Sequence, residues 1–155
     1  MKDKKELKKY NNPIPVVVCL LPIKNKDNSI GLIGIIRNIE PKIGEIALPG
    51  GFIDEGEDVF MAAKRELQEE TGLIDNLDLL IYDSQITPNN MLLIFVLNDN
   101  VLEYKKLNEL KLNKEVKGFQ IINKETKIAF PLHKMLVDKF FDMKNNKVKK
   151  YGFNN

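Results

Sequence analysis

The chain is poor in the residues on which many metal and redox sites depend. Its 155 residues include one cysteine, one histidine and no tryptophan. The single Cys19 excludes an intramolecular disulfide and a zinc site built from several cysteines. Cys19 lies in the apolar run 16–21, which predicts a small buried side chain, and Pro22 closes this run far below the ~20 residues of a membrane-spanning helix. No internal repeat is present.

Length and composition favour one globular domain. A chain of 155 residues, 43% hydrophobic and 30% charged, buries roughly two thirds of its unfolded surface as a single unit. We expect one domain over 1–155, with a core at about 14–143 and short basic tails at both ends. The amino terminus lacks the apolar core and small-residue cleavage site of a secretory signal, so the expected location is the cytoplasm.

Charge is distributed unevenly along the chain. Between Gly51 and Leu73 there are seven acids and two bases, which give a local net charge of −5. Because the whole chain has a net charge of +2, the remaining residues together carry +7. An acidic segment within basic surroundings is typical of a metal site that serves a phosphate-bearing ligand. The acids and bases are Asp54, Glu55, Glu57, Asp58, Glu66, Glu69, Glu70, Lys64 and Arg65.

The order of predicted elements indicates an α/β fold. Helical spacing predicts one helix from about Asp58 to Thr71, with Gly72 just past its end, and a second from about Phe130 to Met143. Because strands come before, between and after only two helices, a mixed sheet with helices on both sides fits better than simple βαβ alternation. Short β-rich runs predict strands at 16–21, 30–37, 46–48, 77–82, 91–97 and 119–122.

Three carboxylates are crowded in the segment RELQEE, residues 65–70. On a helical wheel the apolar arc of this helix includes Phe60. Glu70 falls inside the arc, Glu66 lies on its edge and Glu69 lies further round. Like-charge pairs at this spacing cost roughly 0.2–0.5 kcal/mol each, and more when partly buried. A hard divalent cation with oxygen ligands, Mg²⁺ or Mn²⁺, would offset the repulsion. The alternative is a charged helix surface with incidental repulsion.

The residues around these acids resemble the Nudix box. Its pattern is G, five residues, E, seven residues, REU, one residue, EE, one residue and GU, where U is a bulky aliphatic residue. The sequence GFIDEGEDVFMAAKRELQEETGL, residues 51–73, fills all nine specified positions. The preceding IALPG and the strand order extend the likeness to most of residues 14–143. The resemblance implies an α/β/α sandwich and an Mg²⁺- or Mn²⁺-dependent hydrolase of nucleoside diphosphates linked to another group.

The resemblance also implies roles for individual residues. Within the box it predicts metal-binding and catalytic roles for Glu66, Glu69 and Glu70, of which one accepts the proton of the attacking water; the roles are not separated further. The main-chain carbonyl of Gly50 is expected as an additional metal ligand. Supporting roles, which hold the helix against the preceding loop, are implied for Gly51, Glu57 and Arg65.

Candidates outside the box are less specific. Some Nudix enzymes draw a further catalytic glutamate from a later loop, and Glu115 resembles that position, although a solvated loop acid is an equal alternative. Poorer candidates are Glu103, Glu109 and Glu125. Arg37 is a candidate for contact with a phosphate or a base, against the simpler reading of a surface arginine. We expect His133 on a helix surface.

The box does not name the substrate. Pro88 follows Leu73 by 15 positions, similar to a marker of ADP-ribose pyrophosphatases, although a turn proline explains it equally well. ADP-ribose or a similar nucleotide sugar is the first choice, and nucleoside triphosphates or an RNA 5′ end come next. A nucleotide-binding sensor without hydrolysis is disfavoured by the intact glutamates. An exposed strand or the surface formed by Phe140 and Phe141 could support a homodimer, but such phenylalanines more often complete a core.

Overall fold

The computed structural model describes residues 11–146, with side chains described for residues 11–143. The basic tails expected at both ends lie outside these residues. Two α-helices are present, α1 at Val59–Thr71 and α2 at Pro131–Asn146, together with a short 3₁₀ helix at Tyr104–Glu109. Neither α-helix is long and apolar enough to cross a membrane. The strands are β1 Ile14–Leu20, β2 Pro22–Lys24, β3 Ile30–Arg37, β4 Ile46–Ala47, β5 Gly50–Phe52, β6 Leu79–Ile86, β7 Met91–Asn98 and β8 Val116–Ile122.

The strands form two four-stranded sheets. The first has the order β5-β1-β7-β6, in which β1 and β7 are parallel and the other pairs antiparallel. In the second, β3 pairs antiparallel with β2, β4 and β8. The first sheet is therefore mixed, as predicted.

Strand β1 is buried on both faces because a helix covers each side of its sheet. Val16 and Val18 belong to the apolar cluster that contains α2 residues. The alternating residues Val17 and Cys19 pack in the cluster formed with α1. Successive side chains of a strand point to opposite faces, so this alternation gives the α/β/α sandwich expected from the resemblance, with Cys19 buried as predicted.

Several local expectations are corrected. The predicted strand 77–82 lies instead at Leu79–Ile86, and β2 and β5 were not predicted. Phe140 and Phe141 are buried in the core beneath α2, so they offer no surface for a dimer. The wheel placed Phe60 in the buried arc of α1, but the residue is 36% exposed.

Candidate active site

Helix α1 is bounded by the two residues that the sequence indicates. The Asp58 carboxylate accepts the N–H of Met61 at 2.8 Å and caps the amino end, which satisfies a group that the helix leaves free. Gly72 follows the carboxyl end with φ of 76°, and its N–H donates to the carbonyl of Gln68 at 3.0 Å. A left-handed conformation of this kind favours glycine. The side chains of Ala63 and Leu67 are buried on this helix, and Glu66 and Glu70 contact the glycines of β5.

Two of the three box glutamates turn inward, and one faces solvent. Glu70 is only 7% exposed, and its Oε2 accepts the N–H of Gly50 at 2.8 Å. The Glu66 side chain is 12% exposed, whereas that of Glu69 is 58% exposed. Exposure thus follows the order on the helical wheel: Glu70 and Glu66 are largely buried, and Glu69 faces solvent.

Burial changes the acidity of the two inward carboxyls. Burial is the main cause that raises the pKa of Glu70 to about 8, and the negative charges of Glu66 and Glu115 raise it further against the Gly50 hydrogen bond, which lowers it. The pKa of Glu66 is also raised, chiefly by burial, although its hydrogen bond to Arg65 opposes the change. The site therefore holds carboxylates in surroundings that disfavour their charge.

Two glycines allow β5 to approach its neighbours closely. A Cβ on Gly51 would lie 2.3 Å from Oε1 of Glu66, so the absent side chain is the space that the carboxylate occupies. A Cβ on Gly50 would lie 2.2 Å from the carbonyl oxygen of Val17 in β1. Gly51 thus makes room for a candidate catalytic group, whereas Gly50 makes room for the sheet.

Arg65 connects the box residues to each other. Its Nε and one terminal nitrogen bind the two carboxylate oxygens of Glu57 at 2.7 and 2.8 Å, a bidentate geometry that favours arginine. It also donates to the carbonyl of Phe52 at 2.9 Å, to Glu66 at 2.8 Å and to Glu69 at 3.3 Å. The side-chain hydrogen bonding between Arg65 and Glu57 is the main cause that lowers the pKa of Glu57. The structure therefore brings Glu57 and Arg65 into contact, and their supporting role stays a prediction.

Glu115 lies immediately before β8 with an exposed side chain. Its negative charge raises the pKa of both Glu66 and Glu70, so it lies within electrostatic range of the two inward carboxyls. Two of the poorer candidates form ion pairs with other residues: Glu103 binds Lys24 at 3.0 Å and Glu109 binds Lys106 at 2.8 Å.

Arg37, at the end of β3, also lies near the carboxylates. Its positive charge lowers the pKa of Glu70. The guanidinium is 5.1 Å from the centre of the Phe130 ring, and its Nε donates to the carbonyl of Pro41 at 2.8 Å. Arg37 is therefore a half-buried cation, oriented by these contacts, whose charge acts on the acidic site.

His133 is buried, not on a helix surface as expected. It is 9% exposed and packs edge-on against Phe95 and Phe130. Its Nδ1 accepts the N–H of Leu48 at 3.3 Å. Burial, with a contribution from the charge of Arg37, lowers its pKa to about 3. This neutral imidazole supports the chain just before the glycine pair, a contact that no local sequence pattern indicates.

The donor set fits a hard cation in its chemistry. The inward groups are carboxylate oxygens, as Mg²⁺ and Mn²⁺ prefer. The nearby Cys19 thiol stays protonated, because burial and the charges of Glu70 and Glu66 raise its pKa. Among the described side chains of residues 11–143, no group of three acidic, histidine or cysteine residues is arranged to hold a metal ion. Glu66 is bound by Arg65 instead, and Glu70 accepts the N–H of Gly50. Mg²⁺ in phosphate sites commonly takes one or two carboxylates, with waters and substrate oxygens completing its shell.

Known proteins resemble this chain in sequence and in fold. The family model described as NUDIX domain matches residues 13–142. A curated relative, ADP-ribose pyrophosphatase of Methanocaldococcus jannaschii, is 36% identical over 140 residues, which cover 87% of this chain and 79% of the relative.

Solved structures share the fold at lower identity. The NUDIX domain of Shewanella oneidensis NrtR, complexed with ADP ribose, has a TM-score of 0.70 at 18% identity and covers 92% of this chain and 98% of its own. The binary complex of a C. elegans Ap4A hydrolase has a TM-score of 0.68 at 19% identity, and the match covers 85% of this chain and 99% of that one. The chain therefore belongs to the NUDIX family and is an enzyme, a Nudix pyrophosphohydrolase.

Proposed function

We propose that this enzyme hydrolyses the diphosphate linkage of ADP-ribose or a closely similar nucleotide sugar, with Mg²⁺ or Mn²⁺ as cofactor. The observation that carries the proposal is the pair of inward carboxylates, Glu66 and Glu70, placed against the glycines of β5. The choice of substrate is supported by the curated relative at 36% identity, whose name specifies ADP-ribose.

The residues that would hold the cation are Glu66, Glu69, Glu70 and the carbonyl of Gly50. A divalent cation supplies charge neutralisation at the diphosphate and activation of a water molecule when it is bound. Repulsion between the carboxylates favours such a cation, because Glu66 and Glu115 both disfavour ionisation of Glu70.

The chain's own groups would then divide the chemistry. A carboxylate, for which Glu66 and Glu115 are the candidates, accepts the proton of the attacking water. The water oxygen forms a bond to one phosphorus, the bond from that phosphorus to the bridging oxygen breaks, and ADP-ribose yields AMP and ribose 5-phosphate. Arg37 is proposed to contact a substrate phosphate or base, since its charge already acts on Glu70. Arg65, Glu57 and Gly51 keep the helix in place.

The remaining expectations stay predictions. We propose that the matched region is a single domain that acts on a small nucleotide in the cytoplasm, and an RNA 5′ end is the less favoured substrate. Assembly into a homodimer is open, now without the Phe140 and Phe141 surface.

The test is a substrate panel with matched variants. ADP-ribose, a nucleotide sugar, NADH, nucleoside triphosphates and 5′-triphosphorylated RNA are incubated with Mg²⁺, with Mn²⁺ or with EDTA, and products are identified by mass spectrometry. We expect ADP-ribose to have the highest kcat/KM, EDTA to abolish turnover, and Glu66→Gln and Glu70→Gln to lower kcat at least about 10²-fold.

The control is Glu55→Gln, which removes an exposed acid of the box that lies outside the proposed metal set. It should retain the activity of the parent. Preferred hydrolysis of a triphosphate or RNA would replace the substrate assignment. Tight binding of ADP-ribose with no product from any compound would contradict the catalytic assignment and favour a sensor.

A further inference from the structure

The segment that carries Glu115 also closes the end of α1. The last turn of a helix leaves four carbonyl groups without partners inside the helix. In α1 the carbonyl of Thr71 accepts the N–H of Lys111 at 3.0 Å, and that of Glu69 accepts Nδ2 of Asn113 at 2.6 Å. Residues 111–113 therefore cap the helix that bears the box glutamates.

The other end of the Asn113 amide holds the backbone of Glu115. Its Oδ1 accepts the N–H of Glu115 at 2.8 Å and that of Val116 at 3.1 Å, the arrangement of an Asx turn. Main-chain hydrogen bonds run in both directions between Asn113 and Val116 at 3.3 Å. One side chain thus joins the main chain of Glu69 to the main chain of Glu115.

The opposite side of the loop is attached to the end of β3. The N–H of Asn38 donates to the carbonyl of Glu115 at 2.8 Å, and its Nδ2 donates to the carbonyl of Lys114 at 3.1 Å. Glu115 is consequently held from two elements, although its side chain is exposed. The attachment keeps Glu115 close to two other acids, although its negative charge disfavours the ionisation of both Glu66 and Glu70.

We propose that Asn113 is a positioning residue that sets the location of Glu115 relative to the carboxylates of α1. The proposal rests on the proposed function, in which Glu115 takes part in the hydrolysis. Glu115 acts on the reaction, and Asn113 acts only through Glu115. A loss of the amide would leave the Glu69 carbonyl without this donor and would release the backbone of Glu115.

The chain contains a matched control at the other end of β8. Asn123 forms the same kind of turn, since its Oδ1 accepts the N–H of Glu125 at 3.0 Å. Glu125 is likewise an acid two positions after the asparagine. The side-chain bonds of Asn123 stay within its own turn, with Glu125 and Thr126, and do not extend to α1.

The test is a double-mutant cycle on the full chain with ADP-ribose and Mg²⁺. We expect Glu115→Gln to lower kcat by about 10²-fold. Asn113→Ala should lower kcat about 10-fold or more in the parent, and less than about 2-fold in the Glu115→Gln background, because coupled residues are not additive. Asn123→Ala should leave kcat within about 2-fold of the parent.

A second variant and a second readout guard against simple misfolding. Asn113→Asp retains the oxygen acceptor but loses the donor to Glu69, so we expect its kcat to fall as in Asn113→Ala while the melting temperature stays closer to that of the parent. Hydrogen exchange at the amide of Glu115 should be about 10-fold or more faster in Asn113→Ala than in the parent, whereas Asn113→Asp, which keeps the acceptor of that amide, should exchange at a rate closer to the parent.

The outcomes separate this proposal from the proposed function. An equal factor lost with Asn113→Ala in both backgrounds, or full activity of Glu115→Gln in an active parent, overturns the positioning role and leaves the hydrolase assignment intact. A parent that hydrolyses no compound of the panel overturns the proposed function. The exchange rate then decides the present inference: faster exchange in Asn113→Ala supports it, and unchanged exchange overturns it.

Discussion

Substitution of Gly51 by alanine tests whether the position of Glu66 matters for hydrolysis. The new Cβ would lie 2.3 Å from Oε1 and 2.4 Å from Cδ of Glu66, where at least 3.0 Å is needed. The carboxylate must therefore move by at least about 0.7 Å, and a misplacement of about 1 Å can cost 10²-fold in rate. We expect kcat for ADP-ribose to fall by about 10²-fold.

The same substitution should leave the fold nearly unchanged. The atoms that the Cβ meets belong to the end of a flexible side chain, and Gly51 does not have a positive φ. A compatible glycine-to-alanine change stabilises by about 0.4–1 kcal/mol through the unfolded state. The melting temperature, measured by calorimetry, should therefore stay within a few degrees of the parent.

Two other glycines provide the comparison. Gly50→Ala places a Cβ 2.2 Å from the main-chain carbonyl of Val17, so we expect a loss of about 1–3 kcal/mol in unfolding free energy. Gly56→Ala meets open space at φ of 82° and should retain kcat despite some backbone strain. If Gly51→Ala keeps both kcat and melting temperature, the close packing of Glu66 on Gly51 has no part in hydrolysis.

Two further predictions concern the support of the site. Arg65→Lys cannot reproduce the bidentate contact with Glu57. We therefore expect the affinity for Mn²⁺, measured by electron paramagnetic resonance, to fall about 10-fold. An unchanged affinity would contradict this prediction. The native pKa of His133 lies below 6.5, at about 3, so the unfolded chain takes up the proton first and stability is lost as pH falls below 6.5. Glu70, whose pKa is raised, acts in the opposite direction. The unfolding free energy of the parent relative to His133→Leu should therefore fall by about 2 kcal/mol between pH 7.5 and 5 in urea titrations, and a constant difference would refute it.

The sequence predicted the acidic helix better than its surroundings. Asp58 and Gly72 mark the ends of α1 because capping depends on residues within a few positions of each helix end. The wheel likewise predicted the burial of Glu70, since helical geometry relates each side chain to its neighbours. Phe60 is 36% exposed, which the wheel did not predict, because a wheel gives the direction of a side chain but not how far the neighbouring elements extend over it.

Contacts between segments that are distant in the sequence were harder to predict. Buried His133 accepts a hydrogen bond from the N–H of Leu48, 85 positions away, and no pattern within α2 signals that contact. The approach of Glu115 to Glu66 and Glu70 was suggested only by resemblance, and the Asn113 amide that attaches its loop was missed. An asparagine two positions before an acid indicates a turn, but not which helix the turn will contact.

By itself, the amino-acid sequence determined the family, the ends of α1 and the inward direction of Glu70, because these depend on the identity and spacing of nearby residues. Only the tertiary structure decided which groups surround that carboxylate: the Gly50 N–H, the charges of Arg37 and Glu115, and the loop held by Asn113. Burial and electrostatic range are properties of distances in space. They are set when the strands pair and the helices pack on both faces of the sheet.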